Sequence, residues 1–403
     1  MRESPPGPAP LVAAALTLSV VACDTGPTAD GSTVRDSAGV EIVESTSPVW
    51  SAETAPRIAT EPRIRIGALD GPEELQLFEV RFSTVLSDGR IVIANSGTGE
   101  LRYFRPDGTF ELAVGGQGEG PGEFGFISSV FSRLPGDTLR LFDGSTRRLT
   151  EFTGTGELVR SYLPDPPTGG DLGALFSGTF SDGRIAVSVI ELPPVEDMSE
   201  GDLVRGERTY FTLEPEGTPR EVVRLFEPER LVRIFNGNVG IVTLPFRFSE
   251  QAIPHDDLVV SSTDRHRIRW YTPDGRLHRI ARWDGDEREM TRAHFEEWLA
   301  ALPYEEDRIA QLRQQNEGLP LPPELPTSTR MLVDADGNAW LERYRLTPAE
   351  PAMWTVIGPD GTWLGDVEMP DGLEPHEIGR DYVIGLWEDE LDVAYVHLHA
   401  LVR

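Results

Sequence analysis

Ser87-Asp88-Gly89-Arg90-Ile91-Val92 is a polar turn running into alternating apolar residues, and the chain repeats it five more times. The other copies are Pro135-Gly136-Asp137-Thr138-Leu139-Arg140, Ser181-Asp182-Gly183-Arg184-Ile185-Ala186, His255-Asp256-Asp257-Leu258-Val259-Val260, Ala335-Asp336-Gly337-Asn338-Ala339-Trp340 and Gly379-Arg380-Asp381-Tyr382-Val383-Ile384. A turn repeated at wide intervals marks a repeat architecture, each unit being one supersecondary element stacked on the next. Gly89, Gly136 and Gly183 stand 47 residues apart, and later spacings lengthen through insertions.

A second turn interleaves with the first. An apolar residue stands four positions before a glycine in the pairs Phe104 and Gly108, Phe152 and Gly156, Leu213 and Gly217, Tyr271 and Gly275, and Ile357 and Gly361. Four of these carry proline and an acid just ahead of the glycine, as in Arg105-Pro106-Asp107-Gly108. Proline presets the first central φ, and glycine accepts the positive φ that follows. Each unit therefore reads as four antiparallel strands, and the whole as an all-β, six-bladed β-propeller. The residues after the sixth turn supply only two more strands. An N-terminal strand, Arg63-Ile64-Arg65-Ile66 or Val40-Glu41-Ile42-Val43, is expected to complete the last blade and remove its open edge.

The run Val114-Gly115-Gly116-Gln117-Gly118-Glu119-Gly120-Pro121-Gly122-Glu123-Phe124 resembles the glycine-rich inter-blade loop of NHL-type repeats. With Arg90-Ile91-Val92-Ile93-Ala94-Asn95 and Leu101-Arg102-Tyr103-Phe104, it is similar to the NHL-like propellers borne by bacterial lipoproteins. The resemblance spans Ala59 to Arg403 and is close only in the first two blades. It implies a binding platform; a minority of such proteins are lyases and hydrolases.

The N-terminus addresses the chain. Arg2 precedes an apolar run from Leu11 to Ala22, too short to span a bilayer but suited to a signal peptide. Val20-Val21-Ala22-Cys23 resembles a lipoprotein box, and Cys23 is the only cysteine. The expected organisation is a signal peptide over 1–22, a lipidated Cys23 with a flexible tether over 23–59, and the propeller over 60–403. The expected location is the bacterial cell envelope, outside the cytoplasm, with the membrane as a partner through the lipid. The tether reading rests on the richness of this stretch in Thr, Ser, Gly, Pro and acids.

The chain carries 67 acidic against 37 basic residues, a net charge of −30, which disfavours nucleic acid as a partner. All the basic residues are arginine. Without lysine there is no Schiff base, lysine general base or P-loop ammonium. With its one cysteine lipidated, no thiol remains for catalysis, zinc or a disulfide.

Among seven histidines, His397 and His399 lie on one face of a strand and are expected to be exposed there. Asp334-Ala335-Asp336-Gly337-Asn338 has the oxygen spacing of a calcium loop but occupies a repeated turn and lacks the downstream glutamate. In propellers, ligands gather where the innermost strands begin. Counting back from the turns gives Glu79, Arg81, Glu123, Arg247, Arg330, His376 and Glu377 as candidate ligand-binding residues. Arg81, Arg247 and Arg330, from three blades, are candidates to clamp an anion through paired hydrogen bonds, unless Glu79, Glu123 and Glu377 neutralise them. Between Asp284 and Pro326 the repeat breaks: Phe295, Trp298, Leu299 and Leu302 mark a helix capped by Thr291, and Ile309 and Leu312 a second. This insertion is expected to pack on the face or rim of the propeller.

These residues lead to a non-catalytic binding or assembly module, without catalytic residues, metal ligands or a cofactor, for a protein, peptide, or small anionic or glycan ligand. The competing reading is a calcium-dependent hydrolase resembling the propeller lactonases, with Glu79, Glu123 and Glu377 as oxygen donors.

Overall fold

The computed structural model describes residues 31–164, 173–213, 219–235, 238–319 and 321–403. The signal peptide, Cys23, and the turns at Gly217 and Pro320 lie outside the described residues.

The chain is mostly β, and its strands form antiparallel sheets in chain order. The first sheet holds Val80–Val85, Ile91–Asn95, Glu100–Phe104 and Phe110–Gly115. The second holds Ile127–Leu134, Thr138–Asp143, Leu149–Phe152 and Leu158–Tyr162, and the third Ala174–Thr179, Ile185–Glu191, Glu207–Leu213 and Arg220–Phe226. The fourth is built on Glu250–Pro254, Leu258–Ser262, Arg267–Tyr271 and Leu277–Trp283, and the fifth on Ser328–Val333, Ala339–Arg343, Met353–Ile357 and Trp363–Glu368. Glu374–Ile378, Tyr382–Glu388 and Ala394–Val402 begin the sixth.

Among the described residues both turn types fall where the sequence puts them. Gly89, Gly183 and Gly337 have φ of 86, 90 and 84°, conformations that cost a residue with a Cβ.

The first strands of successive sheets pack side by side in chain order. Glu374–Ile378 and Tyr382–Glu388 in turn pack against Val80–Val85 of the first sheet. The apolar core is accordingly divided among the gaps between sheets. Phe82, Leu101 and Tyr103 meet Leu139, Leu141 and Phe152 between the first two. Trp340 and Trp354 meet Ile378 and Val383 between the fifth and sixth. Ile91, Ile93 and Phe104 meet Ile384 and Val396 between the sixth and first. Alternation along each strand sends one set of side chains to the gap on either side, which is why second strands such as Ile91–Asn95 and Leu258–Ser262 are buried throughout.

The sixth sheet takes its outer strands from the other end of the chain. Ile64–Ile66 pairs antiparallel with Ala394–Val402, in the register Val396 to Ile66 and Leu398 to Ile64. Arg57–Ile58 pairs further along the same strand. Of the two strands expected for this role, Arg63 to Ile66 is the one that fills it.

Val40–Ser45 goes elsewhere. With Ser32–Ser37 it forms a hairpin that pairs in parallel with Leu277–Trp283, extending the fourth sheet to six strands. Glu41 to Arg279 and Glu44 to Arg282 at 2.9 Å are ion pairs that fix this register. The tether expected over 23–59 is thus corrected from Ser32 onward: this stretch includes an edge hairpin whose Ser32, Ile42, Val43 and Ser45 are buried.

Two insertions interrupt the pattern. Leu203–Val204, inserted within the third sheet, pairs with Arg230–Phe235, which with Asn238–Thr243 follows that sheet, to form a small antiparallel sheet. The helices α1, Arg292–Ala301, and α2, Glu306–Gln315, stand between the fourth and fifth. Thr291 caps α1 by accepting from the His294 amide at 3.2 Å, as its position predicts. Phe295 and Leu299 are wholly buried against Phe246, Leu325 and Leu346, so the insertion covers the approaches to the fourth and fifth sheets.

Candidate functional site

The inner strands carry polar side chains into the seams between sheets. Ser83 and Thr84 in the first sheet face His376 and Glu377 in the sixth. The Ser83 hydroxyl lies 2.9 Å from His376 Nδ1. Glu377 accepts from the hydroxyls of Thr84 and Tyr382, and Arg133 of the second sheet approaches it at 3.5 Å. Arg133 also reaches Asp137 at 3.4 Å. One network therefore joins the inner strands of three sheets.

Burial sets its electrostatics. His376 is pushed down to about 3, chiefly by burial and further by the Arg330 guanidinium, so it is neutral at pH 7. Burial and the Glu377 carboxylate push the Tyr382 phenol up, and it stays protonated as a donor. A serine beside an imidazole is the first half of a nucleophilic pair. Ser83, however, is wholly buried, so its hydroxyl bridges two sheets and offers no surface to a substrate.

The candidate residues divide into separate neighbourhoods. Arg81 pairs with Glu79 at 2.9 Å and lies over the Phe126 ring at 4.8 Å. Glu79 itself has φ of 49°, a strained conformation at the threshold of the first inner strand. Arg330 pairs with Glu374 at 2.9 Å, approaches Glu342 at 3.7 Å and lies over Trp354 at 5.4 Å. Arg247 pairs with Glu229 at 3.2 Å, beside the residues that seat the helical insertion. Glu123 is exposed and accepts from the Gly120 amide at 3.0 Å, closing the glycine-rich loop on itself. The structure thus joins Glu79 with Arg81, brings His376 and Glu377 into one network, and sets Arg330 near His376. Arg247 and Glu123 belong to other surroundings. Of the three glutamates expected to neutralise the arginines, only Glu79 pairs with one of them.

Sequence reasoning passed over Ser83, Thr84, Arg133 and Glu374. All lie on inner strands, and the same counting from the turns reaches them. What it lacks is the register between sheets, which decides who faces whom.

His397 and His399 are 7% and 2% exposed, where the sequence reading expected an open strand face. His397 stacks on Trp387 at 5.0 Å, and His399 Nδ1 donates to the Ala59 carbonyl at 2.8 Å. Residues from the chain's other end cover this face. In the turn at Asp334, its carboxylate accepts from the amides of Asp336 and Asn338, the Asn338 side chain and the Trp340 indole, each at 2.8 or 2.9 Å. Those oxygens are spent on the turn. Among the described residues no group of three or more His, Cys, Asp or Glu is arranged to hold a metal ion, and no helix is long and apolar enough to cross a membrane.

A cleft of about 480 Å³ opens between the fourth and fifth sheets beside the insertion, lined by Trp283, His266, Arg343, Asp366 and Trp363. Its charges are mixed: of its three arginines, Arg343 is shared between Asp286 and Asp366, both at 3.5 Å, Arg288 pairs with Glu350 at 3.1 Å, and Arg345 approaches Glu342 at 3.7 Å.

No family model and no curated protein matches this chain. Solved structures do. A Bacteroides fragilis protein described as exported aligns over 90% of this chain and 99% of its own, at 11% identity and a TM-score of 0.47. A member of the duf4221 family from Bacteroides vulgatus aligns over 86% and 99%, at 11% identity and 0.40. Virginiamycin B lyase from Staphylococcus aureus, an inactive variant with quinupristin, aligns over 84% and 99%, at 10% identity and 0.39.

Proposed function

We propose that the chain is a six-bladed β-propeller closed by its own N-terminal strands. It is lipid-anchored through Cys23 on the outer side of a bacterial membrane and acts as a binding or assembly module, not as an enzyme. Its ligand is a protein, a peptide, or a small anion or glycan, taken on the face where the inner strands begin. The observation that carries this reading is the packing of the six first strands in chain order, with the sixth meeting the first. A ring closed in that order would set the starts of all six strands, with Arg81, Arg330 and His376, around one axis, which supports the reading. Paired guanidiniums at 2.9 Å from Glu79 and Glu374 are exchangeable partners for an incoming carboxylate or phosphate.

Two experiments test it. The full chain expressed in a bacterium that lipidates its own lipoproteins should incorporate labelled palmitate and fractionate with membranes, and Cys23→Ser should abolish both. The chain from residue 24 should bind at least one of glucuronate, citrate or inorganic phosphate in calorimetry, weakened about tenfold by Arg81→Ala with Arg330→Ala. A soluble, unlabelled wild-type chain removes the anchor, and affinity indifferent to the arginines removes the small-anion site.

A further inference from the structure

The three arginines that do line one cavity are not those on the face just described. Arg63 precedes the closing strand, Arg133 lies near the end of the second sheet's inner strand, and Arg380 lies in the sixth sheet's first turn. They border a cavity of about 590 Å³ on the opposite, turn-bearing face. Its walls include Ile64, Val85, Leu86, Pro106 and Leu398, and Asp381 is its one lining carboxylate. Three guanidiniums thus converge on one opening, with Asp137, Glu377 and Asp336 meeting them from outside its lining.

Two of the three donors are loosely held, and the third is exposed. Arg133 meets Asp137 and Glu377 at 3.4 and 3.5 Å, well beyond the 2.7–2.9 Å of a tight charge-assisted bond. Arg63 reaches only the Asp381 carbonyl, at 3.4 Å. Arg380 gives its Nε to Asp336 at 2.9 Å, and its side chain is 77% exposed. An apolar pocket with a few convergent charged groups at its edge is the form that small-ligand sites take.

We propose that this cavity binds a small amphipathic carboxylate, its apolar body against Val85, Leu86 and Leu398 and its carboxylate between Arg63, Arg133 and Arg380. Apolar burial supplies affinity, and the guanidiniums select for the charge. Because Ile64 and Leu398 belong to the paired strands that join the two chain ends, the ligand bridges that seam and stabilises it.

The test uses the chain from residue 24 with octanoate as the probe and 1-octanol as its uncharged counterpart, read by calorimetry and by thermal unfolding. Octanoate should bind about tenfold or more tightly than octanol and raise the melting temperature. Arg63→Ala and Arg380→Ala, both at exposed positions, should each weaken octanoate about fivefold or more and leave octanol unchanged, and Arg63→Ala, which breaks no ion pair, should also leave the ligand-free melting temperature intact. Arg81→Ala with Arg330→Ala should leave octanoate binding as it is. Absence of octanoate binding, equal affinity for octanol, or indifference to both Arg63→Ala and Arg380→Ala overturns the proposal. Loss of binding in the Arg81 and Arg330 variant instead would move the ligand to the other face, sinking this inference while favouring the anion site proposed above.

Discussion

Asp137 accepts from both the amide and the hydroxyl of Ser87, at 3.0 and 2.5 Å across 50 residues of chain. The first turn of one sheet is thereby tied to the first turn of the next. The same relation recurs where Ser181 donates to Asp256 and where Arg380 pairs with Asp336 at 2.9 Å. The repeated turns do more than reverse the chain: they latch neighbouring sheets in pairs.

Removing an acceptor from this latch should weaken the fold. Asp137 has φ of 58°, so Asn, which tolerates that conformation, is the clean substitution. Asp137→Asn is expected to cost about 1–2 kcal/mol in urea unfolding, since it turns a charge-assisted acceptor into a neutral one. In a double-mutant cycle with Ser87→Ala the two losses should fall well short of additive.

Arg102 holds the segment ahead of the first inner strand. Its side chain is 3% exposed, and Nη1 donates to the carbonyls of Glu73, Glu74 and Gln76 at 3.0, 3.1 and 2.7 Å, while Nη2 meets Glu100 at 2.9 Å. Arg102→Met should cost about 3–5 kcal/mol in chemical denaturation, because the carbonyls and the carboxylate lose their donor together. Arg102→Lys should recover part of that loss, having the charge without the planar fork.

Acid should destabilise the protein well above the carboxylate range. Burial holds His376 at about 3 and His397 at about 4, and lowers His399 as well, all from an ordinary value of 6.5. Each is neutral when folded and takes up a proton on unfolding below pH 6.5. Their stabilisation is complete above about pH 6.5 and is lost as pH falls toward the folded values, at up to about 1.4 kcal/mol per pH unit each for His376 and His397, with His399 adding in the same direction. Urea midpoints measured from pH 7.5 to 5 should show this decline, and His397→Leu should flatten it. A flat profile in wild type would contradict the burial of these rings.

The strand that joins the chain ends is testable by removal. Ile66 is 1% exposed between the sixth and first sheets. A chain starting at residue 68 bares the edge of Ala394–Val402 and opens that core. It should melt several degrees lower and self-associate in size-exclusion chromatography, as unprotected edges do.

The turns were legible because glycine, proline and acids at fixed offsets answer a local steric demand. The cap at Thr291 was legible for similar reasons, whereas the choice between residues 63–66 and 40–43 as partner of the sixth sheet was left open, since only the pairing of Ile64–Ile66 with Ala394–Val402 decides it. The hairpin of Ser32–Ser37 and Val40–Ser45 was not. Its outer residues are polar because it is an edge, and its partner, Leu277–Trp283, is chosen by long-range packing that no local pattern records. The same holds for the site residues. Counting from the turns placed Arg81, Arg330 and His376 on or beside inner strands. Only the register between sheets reveals that His376 meets Ser83, that Arg330 is held by Glu374, and that Arg63, Arg133 and Arg380 share a cavity.

The pairing of the two chain ends also fixes an order in time. Ala59 and His399, joined by a hydrogen bond, stand 340 positions apart, so the amino-terminal strands wait for almost the whole chain before their partner exists. Contacts of such long sequence separation form late and slowly. Until the last residues are delivered, the first sheet faces solvent on the side that Ile384 and Val396 will cover. A chain delivered from its amino terminus would hold that apolar flank open until Ile384 and Val396 follow, exposed to whatever it meets on the way.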